Sequence, residues 1–430
     1  MSERPAETRV VVTGLGVVAP NGVGVEEFES ALRSGRSGIR AHERMAELGF
    51  GSRVAGVPQG TDALAEKHFD EELLRAMNSS HRYASIAALD AWRSAGLSRP
   101  GPDDDAVDWD TGCVIGTGIG GMDTTASRVV PLVDAKKVRR LGSTVVEQVM
   151  ASGVSARVAG LLALGNQVTT NSSACSTGAE AVAFGVERIR RGEAKRMLCG
   201  GVEGESEYIW AGFDSMRVLC RGFNDDPERA SRPLSASAGG FVAAAGAGLL
   251  MLESEASARE RGATIWAEVA GIAVNCGGQR AGGSMTAPNP DGVRRCIRQA
   301  LDDASIAAEQ VGALNGHLTA TGADPKEVDS WATALGAAPG ELPPITSTKS
   351  MIGHTLGAAG AIESIACVLM LAGGFVHPSL NSEDVHPDIE PHAGSIPHVE
   401  LAKPDLDVVA KASFGFGDVN TCLVFRRADR

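Results

Sequence analysis

Two stretches far apart in this 430-residue chain have the same build, and a chain that repeats itself in this way is confined to folds made of two similar halves. In the first, apolar runs predict strands over 9–18, 112–118 and 197–201, with helices over 71–95 and from Cys175 to about 191. In the second, strands are predicted over 265–274, 311–315, 345–348 and 408–413, with a helix from about 353 to 372. Strands alternating with helices make this an α/β chain. The run Ala174-Cys175-Ser176-Thr177-Gly178-Ala179 overlays Gly353-His354-Thr355-Leu356-Gly357-Ala358, and the Gly-rich turn 116–121 overlays the turn at His317. The division falls into halves 1–260 and 261–430.

That overlay singles out one of the eight cysteines. Cys175 sits where a β-rich polar stretch gives way to an Ala/Gly-rich helix, so free N–H groups and the positive end of the helix dipole favour its thiolate and offer donors to an acyl oxygen. Cys113, Cys199, Cys367 and Cys422 lie in apolar runs, and Cys220, Cys276 and Cys296 have no chemical setting; all seven read as buried and inert. No CxxC pair occurs, which argues against zinc or a dithiol site, and no metal or bound cofactor is expected. Of nine histidines, only His317 and His354 follow a glycine where a strand ends, the place from which α/β folds present catalytic groups. The duplication puts His354 opposite Cys175. A thiol with two imidazole donors suits acyl transfer followed by carbanion chemistry. Lys349 and Glu327 are candidates for supporting charges.

A formal net charge of −13 argues against nucleic acid as a partner. No apolar stretch of membrane-span length and no signal-peptide pattern is read, and Met1 to Pro5 leads straight into a strand, so the expected location is the cytoplasm. The segment 98–105 reads as a solvated loop.

Taken in order, Val11-Val12-Thr13-Gly14-Leu15-Gly16, Ser173-Ala174-Cys175-Ser176-Thr177-Gly178, Ala230-Ser231-Arg232-Pro233, Asn315-Gly316-His317 with Thr319 and Thr321, Ser347 to Gly360, and Ser413-Phe414-Gly415-Phe416-Gly417 resemble the β-ketoacyl-acyl-carrier-protein synthases of types I and II. The resemblance covers about 8 to 427. It implies a thiolase-type fold, two βαβαβαββ halves in a five-layer αβαβα arrangement, and decarboxylative Claisen condensation of an acyl group held on Cys175 with malonyl-acyl carrier protein, in fatty-acid or polyketide synthesis. By motif match, His317 and His354 hold the malonyl thioester oxygen, and the N–H groups of Cys175 and Phe416 form the oxyanion hole. Lys349 supports the site with Glu327 as its acidic companion. Thr319 and Thr321 bind the phosphopantetheine arm that the carrier protein delivers, Phe416 gates, and Phe414 and Ile119 contact substrate, Ile119 along the acyl tunnel. The implied assembly is a homodimer, or a heterodimer with a ketosynthase-like partner.

Several positions depart from the family pattern. Leu318 and Asp418 stand where glycine is usual, the loop after Thr321 is one residue shorter, and Ser235, Gly239 and Ala243-Ala244-Ala245 differ around a usually acidic, Gly-rich segment. Asp418 is expected to stiffen the gating loop if its φ is positive. These changes suggest a specialised synthase. The basic run Lys136-Lys137-Val138-Arg139-Arg140, with Arg75, is expected to dock the acidic carrier, Lys136 and Arg139 foremost. A thiolase would carry a second catalytic cysteine near its C-terminus, a type III synthase would have asparagine in place of His354, and a chain-length factor would lack the nucleophile.

Overall fold

The computed structural model describes residues 8–101 and 104–428, so Met1 to Pro5, and Pro102 and Asp103 of the expected loop, lie outside the described residues. The first half runs β1 (Val10–Ala19), α1 (Ser79–Ser94), β2 (Thr111–Gly116), α2 (Gly153–Leu162), β3 (Val168–Thr169), α3 (Thr177–Arg190), β4 (Arg196–Glu203) and β5 (Gly246–Ser254). The second runs β6 (Ala267–Cys276), α4 (Pro290–Ala304), β7 (Ala313–Asn315), α5 (Asp324–Leu335), β8 (Ile345–Thr346), α6 (Ala359–Gly373), β9 (Val408–Gly415) and β10 (Val419–Arg427). Each is βαβαβαββ. The helix expected over 71–95 is broken: Asn78 caps α1 by accepting the His81 N–H, and a shorter helix, Glu71–Arg75, precedes it.

The halves share one strand order. The first reads β3-β2-β4-β5-β1 and the second β8-β7-β9-β10-β6, with the first three strands of each parallel and the rest antiparallel. They join where β1 meets β6 antiparallel, Val11 opposite Glu268 and Val12 opposite Ala267. β1 is buried throughout and apolar but for Thr13, whose hydroxyl donates to Glu253, as suits a strand covered on both faces.

Three apolar cores separate five layers. One lies between α1, α2 and the first sheet; a second between the two sheets, around α3 and α6; a third between the second sheet and α4, α5. This is the thiolase-like αβαβα arrangement. The window Leu356–Gly373 is 18 residues long and apolar enough to cross a membrane, against the expectation from sequence, but 89% of it is buried in the middle layer. A helix apolar all round is what such a layer requires. Each fully buried Leu, Ile or Met there contributes about 1.5–3 kcal/mol.

The two central helix starts lie against each other. A Cβ on Gly178 would sit 2.8 Å from Ala361 N, and one on Gly360 2.5 Å from Ala179 N, so only glycine lets the backbones meet. Both helices enter through a short 3₁₀ turn whose first residue has positive φ, Ala174 at 50° and Leu356 at 49°. This corrects the overlay read from sequence. Ala174 corresponds to Leu356, not Gly353, so Cys175 corresponds to Gly357, and His354 lies in the loop three residues earlier. The pairing of Cys175 with His354 survives because the loop folds back over the helix start.

Candidate active site

The turn at Ala174 aims Cys175 out of the first half. The Thr177 hydroxyl accepts the Ser173 N–H at 2.8 Å and donates to Ala174 O at 2.6 Å, closing the turn, and Ser176 Oγ donates to Ser413 O at 3.0 Å and Val419 O at 3.1 Å, fastening it to β9 and β10. A Cβ on Gly415 would lie 2.6 Å from Ser173 O, so glycine there lets the 415–417 segment lie against the nucleophile turn.

The second half supplies the histidines. His354 Nδ1 accepts the Leu356 N–H at 3.2 Å, which leaves the ring proton on Nε2, 3.0 Å from Cys175 Sγ. Lys349 Nζ donates to His317 O at 2.6 Å and faces His317 Nδ1 at 3.4 Å, which leaves the second ring proton on Nε2 as well. The two rings meet edge to face with centroids 5.3 Å apart. Burial, then the Lys349 charge, hold both well below the ordinary histidine range, so both are neutral donors. The Cys175 sulfur and one nitrogen of each ring lie within 4.8 Å of one another, close enough for a metal by distance alone. With the far nitrogens accepting, however, the rings present N–H groups rather than lone pairs, as an anionic oxygen requires.

Cys175 departs from expectation. Burial pushes its thiol up to about 11, outweighing Lys349 and the Phe416 N–H, which pull it down. Cys175 therefore rests as a thiol at neutral pH. Its alkylation by iodoacetamide, read at the Cys175 peptide, should rise about tenfold per pH unit from 7 to 9; a plateau below pH 9 would show a thiolate at rest. Cys276, expected to be buried, is exposed and will also label.

The Lys349 companion also needs correction. Glu327 does not pair with it: its carboxylate accepts the His317 N–H at 2.5 Å and the Leu318 N–H at 2.7 Å, holding the loop after β7. Burial pushes Glu327 up to about 7. One turn earlier on α5, Asp324 accepts from Thr319, Ala320 and Leu234 N–H groups. The acid on Lys349 is Glu363 of α6, whose other oxygen lies 2.8 Å from Lys411 Nζ. Glu363, Lys411, Asp324 and Glu203 were not read from sequence. Glu203 accepts N–H groups of Gly118 at 2.9 Å and Gly357 at 3.0 Å, tying the turn after β2 to the 3₁₀ turn that enters α6. The signal for Glu363 and Lys411 was present: each is a lone charge inside an otherwise apolar helix or strand, and such charges are paired.

A cavity of about 520 Å³ opens over Cys175, lined by His317, His354, Thr319, Thr321, Phe414 and Phe416 and by apolar Phe213, Met216, Val218 and Phe241. The Thr319 and Thr321 hydroxyls are 3.0 Å apart. Ile119 does not line this cavity; it is 44% exposed. Lys136 and Arg139 are exposed and away from the cavity lining, and Arg75 is exposed and bonded to Glu71 at 2.8 Å.

The position usually held by glycine in the gating loop, Asp418, has φ of 65° and is buried. Its carboxylate accepts the Gln279 and Asn289 N–H groups, each at 2.8 Å, and Gly417 N–H donates to Met285 O at 2.8 Å. The 415–419 turn is thus fastened to the 277–289 loop, and the positive φ on which the expected stiffening depended is present.

A duplicated α/β scaffold whose two halves bring a thiol and paired imidazoles to one cavity defines a thiolase-like acyltransferase. Residues 7–258 match "Beta-ketoacyl synthase, N-terminal domain" and 266–383 match "Beta-ketoacyl synthase, C-terminal domain". The chain belongs to the β-ketoacyl synthase family, and it is an enzyme of that kind. It is 35% identical over 424 residues to 3-oxoacyl-[acyl-carrier-protein] synthase 1 of Escherichia coli, covering 97% of this chain and 99% of that one, and 33% identical over 419 residues to the Haemophilus influenzae synthase 1, with 97% and 99% covered. Among solved structures, a β-ketoacyl synthase from Burkholderia phymatum superposes with a TM-score of 0.88 at 30% identity, covering 98% of this chain and all of that one. The ishigamide ketosynthase/chain length factor gives 0.86 at 32%, with 99% and 100% covered. A type II PKS acyl-carrier protein in complex with its ketosynthase bound to the hexaketide gives 0.86 at 30%, with 98% and 100% covered.

Proposed function

We propose that this enzyme condenses an acyl group held on Cys175 with malonyl-acyl carrier protein, the reading carried by His354 Nε2 lying 3.0 Å from Cys175 Sγ beside His317. In the first step the Cys175 sulfur displaces the phosphopantetheine thiol from the acyl thioester. One thiol replaces another, so no proton is gained or lost overall. The Cys175 and Phe416 N–H groups hold the tetrahedral oxygen. Malonyl thioester then enters past Thr319 and Thr321, and its carbonyl oxygen takes the Nε2–H groups of His317 and His354. Loss of carbon dioxide leaves an enolate on that oxygen. Its carbon attacks the acyl carbonyl, the 3-oxoacyl chain leaves on the carrier, and the Cys175 thiolate takes up one proton. No metal or bound cofactor enters; phosphopantetheine arrives on the carrier.

The reading extends to the halves 1–260 and 261–430 as its two units, to a cytoplasmic setting, and to a homodimer. Among the described residues no strand pairs with the outer side of the edge strand β3, and Ile119, Val130, Val133, Val146, Met150 and Val168 are exposed. A twofold partner pairing β3 with β3 would cover such residues, as edge strands require. Lys136 and Arg139, exposed and basic on an acidic protein, suit a carrier docking face, with Arg75 in a lesser part. Native mass spectrometry of the protein with a panel of acyl carriers tests all of this at once. A species of twice 44.4 kDa carrying an acyl group at Cys175, with carrier binding weakened by Lys136→Glu and Arg139→Glu together, is expected. An unacylated enzyme with every carrier would refute the reading, and a 44.4 kDa species alone would point to a missing partner subunit.

Phe416 lies edge-on to Phe213 with centroids 6.2 Å apart and lines the cavity with Cys175, where it is placed to serve as the gate. Because Asp418 fastens that loop, Asp418→Gly should accelerate acyl exchange on Cys175 by about 10- to 100-fold, the order expected for releasing one charge-assisted hydrogen bond. Stopped-flow acylation reads it, and an unchanged rate would show that the loop is not the barrier.

A further inference from the structure

Behind the two histidines lies a buried charge network that the condensation chemistry does not by itself call for. Glu363 is fully buried on α6, and each of its carboxylate oxygens meets a lysine: Oε1 the Lys349 Nζ, and Oε2 the Lys411 Nζ at 2.8 Å. Lys411 is itself fully buried in β9, where a lone lysine in the run Val408-Val409-Ala410-Lys411-Ala412 is a costly choice unless it is paired. Its ammonium also donates to Ala412 O at 2.9 Å and to the Ser413 hydroxyl. Ser413 O in turn accepts from Ser176, next to the nucleophile.

Two ammonium groups against one carboxylate leave one positive charge in excess. Lys349, held between Glu363 and His317, carries that excess toward the reacting atoms. With Lys411 absent, Glu363 would neutralise Lys349 alone. We propose that Lys411 is a positioning residue of the condensing site, which takes up half of Glu363 so that Lys349 keeps a net charge facing His317 and, beyond it, the Cys175 sulfur and the enolate oxygen. This inference rests on the two-histidine reading above and deepens it. The ionisable groups facing the network are His317 from the loop after β7, His354 from the loop before α6, Cys175 at the entry to α3, Glu203 at the end of β4, Glu327 of α5, Cys367 of α6, His377 beyond the end of α6, and Cys422 of β10. None adds a second carboxylate to the lysines by direct contact among the described residues. The surplus charge therefore acts on neutral imidazoles and on whichever sulfur or oxygen becomes anionic.

Lys411→Met keeps the stem and removes the charge; Lys411→Gln keeps a donor but no charge. In both, malonyl-carrier decarboxylation should fall about 10-fold in kcat with KM changed less than about threefold, the order expected for one charge acting at about 10 Å through an effective dielectric of about 20. The pH at which Cys175 alkylation is half-maximal should also rise by about one pH unit, which a purely structural residue would not cause. Folded variants with unchanged decarboxylation and an unmoved alkylation profile would overturn the proposal. So would recovery by Gln alone, which would make the role one of hydrogen bonding, and so would loss of cooperative melting in both variants, which would place Lys411 in the service of the fold. If instead His317→Ala and His354→Ala left decarboxylation intact, the underlying two-histidine reading would fail, and these outcomes are separable.

Discussion

Cys175→Ala is expected to lose condensation by about 10⁴-fold or more in kcat, the order seen when a covalent nucleophile is removed. The side chain lies at the floor of a cavity rather than in an apolar core, so the melting temperature should shift little. Neither histidine depends on the sulfur for its orientation: His354 is set by the Leu356 N–H and His317 by Lys349. Malonyl-carrier decarboxylation should therefore continue in the alanine variant while no acyl group adds to the protein. Intact-mass measurement after incubation with acyl carrier reads the first half of the result and carbon dioxide release the second. Cys175→Ser should behave the same way, because burial that pushes a thiol up to about 11 disfavours an alkoxide far more. Condensation persisting in Cys175→Ala would remove the sulfur from the mechanism.

What could be read in advance divides along a physical line. Strand-ending glycines and helix-starting cysteines are local features, and they led to Cys175, His317 and His354, all three of which the fold brings to one cavity. The duplication was legible because each half repeats the same strand and helix periods, yet its register slipped by three residues. The 3₁₀ turns that set it depend on positive φ at Ala174 and Leu356, residues that carry no turn signature. Partner choice among buried charges was the least legible. Glu327 is the acidic companion by motif match, but α5 points it at the His317 backbone, and the carboxylate that meets Lys349 comes from α6. Only the packing of the two sheets on the central helices decides which acid faces which lysine. Ile119 shows the same limit, since its exposure gains meaning only if a second subunit covers it.

His354→Ala and His317→Ala should each reduce malonyl-carrier decarboxylation by about 10²–10³-fold, the range for removing one oxyanion donor from a buried site. Their effects on acylation should differ. His354 also touches the Cys175 sulfur, so its loss should slow acyl loading several-fold, whereas His317 makes no hydrogen bond to the sulfur among the described residues and its loss should leave loading near wild type. Because both donors serve one oxygen, the double variant should be little worse than either single one, since an enolate that has lost one donor is already poorly stabilised. The pH dependence follows from the same geometry. Burial and Lys349 hold both rings well below the ordinary histidine range, so both stay neutral N–H donors as pH falls from 8 to 6 and neither should make decarboxylation climb; protonation of Glu327, which holds the His317 loop and is pushed up to about 7, should instead lower the rate toward pH 6. An imidazole acting instead as an acid would give a rate that climbs as pH falls through the ordinary histidine range near 6.5. Decarboxylation measured from pH 6 to 8, in the wild type and in each single variant, separates neutral donors from a titrating acid. Retention of the reaction in both alanine variants would remove the histidine pair from the chemistry.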